Sequence, residues 1–296
     1  LKGMKMRFSQ LQKPLSNSRK VQILKLRFQE AIEEFAELNP FRTEISDQAR
    51  PFRGWLPTIV AQVVRLGAFF PGIDLSQVDS LSTVLTRPPN ADGIILFPKI
   101  SYLGKLWNVD DPYGKGYYII CTKLFELLIA ADDLFRTDFF YEFKSGQIVD
   151  EDHVRICAEV KDNLIALENA TKGDVLVMPI NYTSMYVGWS PRAARWEAVH
   201  YDQLPLVVAQ VAVILLIMPP NTLLGSYGIA IDCPGDEWYG FVSTSSQRTW
   251  LRCPYFRVSY SGRLTLTLSD KISNVPDENH VSAVGFLPPV SASKAA

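Results

Sequence analysis

Apolar residues recur at spacings of three and four between Val21 and Leu38. Val21, Leu24, Phe28, Ala31, Phe35 and Leu38 would share one face of a helix. The Ser16-Asn17-Ser18 cluster supplies candidate caps before it, and Asn39-Pro40 ends it. Residues 1–17, broken by Pro14, read as an extended arm.

After a loop over 40–54, Leu56 to Leu66 reads as a helix, with Pro57 tolerated in the first turn and Gly67 near the end. Residues 71–93 carry Pro71-Gly72, Pro88-Pro89-Asn90 and Asp92-Gly93 and read mostly as connection. Ile94 to Phe97 is a short apolar run with the character of a strand. Asp110-Asp111-Pro112 starts a helical region whose body is Tyr117 to Leu134. Phe139 to Phe143 reads as a strand. Asp150-Glu151-Asp152 is expected to open a helix with Ile156, Val160, Leu164 and Leu167 on its apolar face, since acids suit the positive end of the helix dipole. Lys172-Gly173 closes it, and Val175 to Ile180 follows as a strand.

Downstream the period shortens. Met185–Trp189, Gly228–Asp232, Tyr255–Tyr260 and Leu264–Leu268 read as strands, and Ser261-Gly262 between the last two predicts a hairpin. Leu204 to Met218 is the most apolar window. Its fifteen residues fall short of the ~18 that suggest a membrane span, so it is expected to be a buried segment, helical after Pro205.

Helical patterns dominate the first half and strand patterns the second. The fold class expected is α+β, with a helix-rich N-terminal half packed on a mixed, partly antiparallel sheet from the C-terminal half. The expected organisation is an arm over 1–17, one domain over 18–288 and a tail over 289–296. A subdivision near residue 148 is the alternative.

Composition changes this picture little. At 47% hydrophobic and 21% charged, the chain is neither disordered nor collagen-like. The net charge of −1 excludes a uniformly basic nucleic-acid binder. No apolar core follows the basic residues at the start, so a secretory leader is not expected. Leu1 suggests a truncated or processed chain, with Met4 and Met6 as nearby starts. Cys121, Cys157, Cys233 and Cys253 form no C-x-x-C pair and are expected to be free thiols in a soluble cytoplasmic protein, although Cys233 and Cys253 lie near turn signals that would permit a bond.

Charge distribution changes it more. Residues 1–27 hold eight basic side chains and no acidic one, so the rest of the chain carries −9. Within the first helix Arg19, Lys20, Lys25 and Arg27 precede Glu30, Glu33, Glu34 and Glu37. That order opposes both the helix dipole and the favourable i,i+4 polarity. Local helix energetics therefore did not select it. Three roles remain: a solvated outer face or contacts between the arm and the acidic body, antiparallel pairing of two copies through residues 18–38, or binding of nucleic acid or an anionic surface by the arm, with Phe8 as a stacking residue. No membrane contact is expected.

The strongest candidate chemistry is Asp232-Cys233-Pro234-Gly235-Asp236-Glu237. Asp232, Asp236 and Glu237 at a strand end are the residue types that hold a divalent metal or divide acid and base roles. They equally suit a turn that caps backbone amides. Ser190-Pro191 reads as a helix start, which puts Arg192 and Arg195 on one face, to clamp an anion or pair with Asp236 and Glu237. Cys233 with His200, the carboxylates Asp132, Asp133 and Asp138, and Gly114-Lys115-Gly116 are weaker candidates without motif spacing.

The sequence therefore favours a non-enzymatic interaction or structural protein that contacts a partner through its basic arm and charge-segregated helix. The alternative is a small metal-assisted hydrolase or transferase built on Asp232, Asp236 and Glu237. A divalent metal is the one cofactor that the residue types suggest.

Overall fold

The structure is a computed structural model. It describes residues 40–41, 43–46, 56–78, 80, 85, 87–131, 152–218, 230–241, 248–258, 264–267 and 275–287. The arm, the helix expected over 18–38, the strand at 139–143, the Ser261-Gly262 turn and the tail all fall outside them. Contacts divide the chain into two units, Leu1–Arg42 and Thr43–Ala296, the second running through residue 148.

The described elements, in chain order, are α1 (Ile59–Phe69), β1 (Gly93–Pro98), α2 (Ile100–Leu106), α3 (Tyr117–Ala131), β2 (Val154–Ile156), α4 (Ala158–Ala170), β3 (Val175–Asn181), α5 (Pro191–His200) and β4 (Gln203–Pro205). They continue with α6 (Val208–Ile217), β5 (Ala230–Asp232), β6 (Asp236–Phe241), β7 (Arg248–Arg252), β8 (Tyr255–Val258), β9 (Leu264–Thr267), β10 (His280–Ser282) and β11 (Val284–Phe286). The fold is α+β. Helices α4, α5 and α6 lie in the second half and strand β1 in the first, as their local patterns predict, so the two halves are only partly segregated. The β structure forms three sheets: β1-β3-β11-β4, β10-β5-β8-β9 and β2-β6-β7. Every described pairing is antiparallel except β10 with β5.

Helix α6 is the centre of the core. All ten of its residues are buried, and it packs against α3, β1 and α1. This is the apolar window of the sequence, and burial on every side explains why it has no polar stripe. Helix α1 is tied to the edge strand β1 by Gln62, whose side chain donates to Ile94 O at 2.9 Å and accepts Leu96 N at 2.9 Å. One glutamine thereby satisfies strand-edge groups that would otherwise be buried without partners.

Three local expectations differ from the structure. Pro57 lies before helix α1, which starts at Ile59 after the Thr58 N-cap and runs through Gly67 to Phe69. Ile156 belongs to β2, and the helix begins two residues later at Ala158. A strand of three residues is too short for periodicity to reveal. Met185–Trp189 is a turn with isolated bridges at Val187 and Trp189, not a strand. Asn181 Oδ1 accepts the amides of Ser184 and Met185, and Gly188 takes φ +75°. Both devices bend the chain. Among the described residues no helix is long and apolar enough to cross a membrane.

Candidate functional site

The Asp232–Glu237 segment is the tight connection from β5 to β6. Pro234-Gly235 turns the chain, and Asp236 N donates to Cys233 O at 3.0 Å. The turn is wedged against the start of α6, where Gly235 N donates to Leu206 O. A Cβ on Gly235 would stand 2.6 Å from Pro205 O, so only glycine permits this approach.

The three carboxylates of this segment go to three different places. Asp232, fully buried, accepts or shares a hydrogen bond with His280 Nδ1 at 2.8 Å. The ring of His280 meets Tyr255 edge-on at 4.7 Å, and its Nε2 lies 3.4 Å from Asp277. Asp236, also fully buried, accepts Val208 N at 2.6 Å and the Tyr117 hydroxyl at 2.8 Å, both on Oδ2. Glu237 bridges two arginines, Arg155 at 2.7 Å and Arg195 at 3.0 Å. Among the described residues no group of three or more His, Cys, Asp or Glu is placed to hold a metal ion.

Asp236 has a definite local task. The residue before α6 is Val207, which has no side-chain acceptor for the first amides of the helix. Asp236 reaches across from β6 and supplies one, while the Tyr117 hydroxyl accepts Ala209 N at 3.2 Å. Gln210 completes the arrangement by accepting Val207 N at 3.2 Å. Among the described residues Asp236 Oδ1 has no partner. Burial pushes this carboxyl up to about 7, against the opposing effects of the Val208 and Tyr117 hydrogen bonds and the Arg195 charge.

The two candidate arginines separate. Helix α5 starts as the sequence predicts, with Ser190 accepting Ala193 N and Pro191 at the first position. Arg195 turns inward, where it is 7% exposed. It donates to Pro234 O at 2.5 Å, to Asp236 O at 3.3 Å and to Glu237. It therefore clamps the turn through backbone carbonyls as much as through charge. Arg192 goes instead to Glu44, which also receives the Ser190 hydroxyl. Arg19, Lys20, Lys25 and Arg27 lie outside the described residues.

Of the weaker candidates, Asp132, Asp133 and Asp138 also lie outside the described residues, and the others have structural surroundings. All four cysteines are buried and free; burial pushes the Cys121, Cys157 and Cys233 thiols well up, which keeps them protonated. Gly114-Lys115-Gly116 is folded onto Asp111, whose Oδ2 accepts Lys115 N at 2.9 Å. A cleft of about 530 Å³ lies between α2 and the following loop, lined by Ser101, Lys105, Asn108, Val109, Asp110 and Pro112 around Gly104. Asp232, Asp236, Glu237, Arg192 and Arg195 do not border it.

A cluster that the sequence did not single out lies on the outer side of the β2-β6-β7 sheet. Val154, Ile156, Asp236, Trp238 and Arg252 are buried on one side. Arg155, Glu237, Tyr239 and Trp250 take the other. Between the pairs Trp238–Arg252 and Gly240–Thr249, β7 has one residue more than β6. This bulge sets Trp250 and Leu251 opposite Tyr239 alone. The Tyr239 and Trp250 rings stand 5.2 Å apart, and the Arg155 guanidinium lies 4.0 Å above Trp250. The apolar–charged–apolar run Val154-Arg155-Ile156 is the one trace of this face in the sequence.

No family model, no curated protein and no solved structure matches the chain.

Proposed function

We propose that this chain is a cytoplasmic interaction or structural protein that contacts its partner through the basic arm and the charge-segregated segment 18–38. The observation that carries the reading is the split of charge. Residues 1–42 hold nine basic and four acidic side chains, a net of +5, whereas residues 43–296 hold twenty-one basic and twenty-seven acidic, a net of −6. The contact residues of the proposal are therefore Lys2, Lys5, Arg7, Lys13, Arg19, Lys20, Lys25 and Arg27.

Two further observations support it over hydrolysis or group transfer at Asp232, Asp236 and Glu237. Each of those carboxylates is engaged by a different partner, and none of the three borders the cleft beside α2. The four free buried thiols suit a reducing compartment.

Sedimentation of the full chain across about 0.05 to 0.5 M salt tests the reading. A dimer that dissociates with salt, and is lost when Lys20, Lys25 and Arg27 are changed to Glu, supports pairing of two copies. A constant monomer whose retention on immobilised nucleic acid is salt-sensitive and lost with Lys2, Lys5, Arg7 and Lys13 changed to Glu supports a polyanionic partner. Mass and retention that ignore both salt and charge reversal would overturn the proposal.

A further inference from the structure

The outer face of the β2-β6-β7 sheet contains a guanidinium held in one plane. Arg155 Nε and Nη2 both donate to Glu237 Oε2, at 3.0 and 2.7 Å, which fixes the edge of the group. One side of the plane rests on the Trp250 ring at 4.0 Å. The side chain of Arg155 nevertheless remains 50% exposed. A long, rotamer-rich side chain on a surface ordinarily samples many positions. Here ring and carboxylate restrict it.

We propose that this face binds single-stranded nucleic acid, with a base stacking on the exposed side of the Arg155 guanidinium and a neighbouring base on Tyr239. Three features favour that occupant. Guanidinium planes and aromatic rings are the two surfaces on which unpaired bases stack. Arg155, Trp250 and Tyr239 bring both kinds together, the rings 5.2 Å apart. The face also offers a cation to the phosphates: Arg155 is half-exposed, and its acceptor Glu237 is shared with the buried Arg195. A duplex, whose bases are already stacked on each other, offers neither face. The inference extends the reading of the chain as a contact protein, but it places the contact in the second unit.

Fluorescence anisotropy of a labelled oligothymidylate of about fifteen nucleotides, titrated with the full chain, tests it. Arg155→Lys keeps the charge and removes the plane. Tyr239→Leu keeps apolar bulk and removes the ring. The expected result is a loss of affinity of about tenfold in each, with unchanged circular dichroism and melting temperature. Inorganic polyphosphate at equal phosphate concentration should compete weakly. Absence of binding by the unaltered chain, equal binding by Arg155→Lys, or full competition by polyphosphate would overturn the proposal, the last pointing to an acidic protein surface instead. Changing Lys2, Lys5, Arg7 and Lys13 to Glu separates this contact from that of the arm. The ratio of affinities between Arg155 and its Lys variant should persist in that background even if the arm has no partner.

Discussion

Asp236 on β6 accepts the backbone N–H of Val208 at 2.6 Å, so a strand residue caps the helix at the centre of the core. The pairing joins a tight turn rich in carboxylates to a helix buried on all sides. It assigns the most suggestive carboxylate of the sequence a structural task.

Removal of that cap should be costly. Asp236→Ala leaves the amide of Val208 buried without an acceptor and is expected to lower stability by about 1–3 kcal/mol. Tyr117→Phe loses the hydroxyl that donates to Asp236 and accepts from Ala209. Its expected cost is about 1–2 kcal/mol. Urea unfolding measures both, and hydrogen exchange at Val208 and Ala209 should accelerate in each variant. Unchanged exchange would show that the helix start is held by other means.

Arg195→Ala should destabilise by about 2–4 kcal/mol, because the guanidinium is buried and donates to two carbonyls of the turn as well as to Glu237. Arg195→Lys should fall between, since one ammonium cannot reach all three acceptors at once. Arg192→Ala, which breaks a partly exposed pair with Glu44, should cost at most about 1 kcal/mol. Equal losses for the two arginines, measured from urea midpoints, would contradict this division.

Glu168 is a further buried carboxylate with a structural use. It accepts the amides of Ile100 and Ser101, the Ser101 hydroxyl at 2.7 Å and the Tyr113 hydroxyl. Glu168→Ala strands these donors at the start of α2 and should cost about 2–4 kcal/mol; Glu168→Gln should cost less, because it keeps an acceptor oxygen. Urea unfolding of the two variants checks the order, and a Gln variant as unstable as Ala would refute it.

Divalent metal should not stabilise the chain through the Asp232–Glu237 turn. A thermal-shift titration with Mg²⁺, Mn²⁺ and Zn²⁺ is expected to give no shift that depends on Asp236. A shift abolished by Asp236→Asn would restore the metal-assisted reading.

Local signals were legible in the sequence wherever one short segment contained the whole cause. Ser190-Pro191 starts α5 as its residue types require, and the alternating runs at Tyr255 and Leu264 pair as neighbouring strands. The buried helix after Pro205 follows from unbroken apolarity. Pairing of Arg192 and Arg195 with Asp236 and Glu237 is one of two roles that the helix start suggests; Arg195 reaches Glu237, and Arg192 pairs with Glu44 instead. What stayed hidden depends on distant partners. Tyr117 and Asp236 are 119 residues apart, and Arg192 and Glu44 are 148 apart. No period or spacing connects them. The same holds for His280, which has no motif around it and gains a role only when β10 pairs with β5. The stacked Arg155 and Trp250 need in addition a bulge in β7, which the sequence does not announce.

The central structural claim is that Asp236 is a buried cap. Its carboxyl sits at about 7 in the folded chain, against about 3.9 when unfolded. Between these values the folded form holds a proton that the unfolded form has released. Stability from this group is therefore fully present below about pH 4, is lost as pH rises through 7, and is level above. The most direct test is the unfolding free energy of the unaltered chain and of Asp236→Asn across that range. The account predicts that the unaltered chain loses stability relative to the Asn variant by about 1.4 kcal/mol per pH unit between pH 4 and 7. Parallel curves, with a constant difference at every pH, would contradict it.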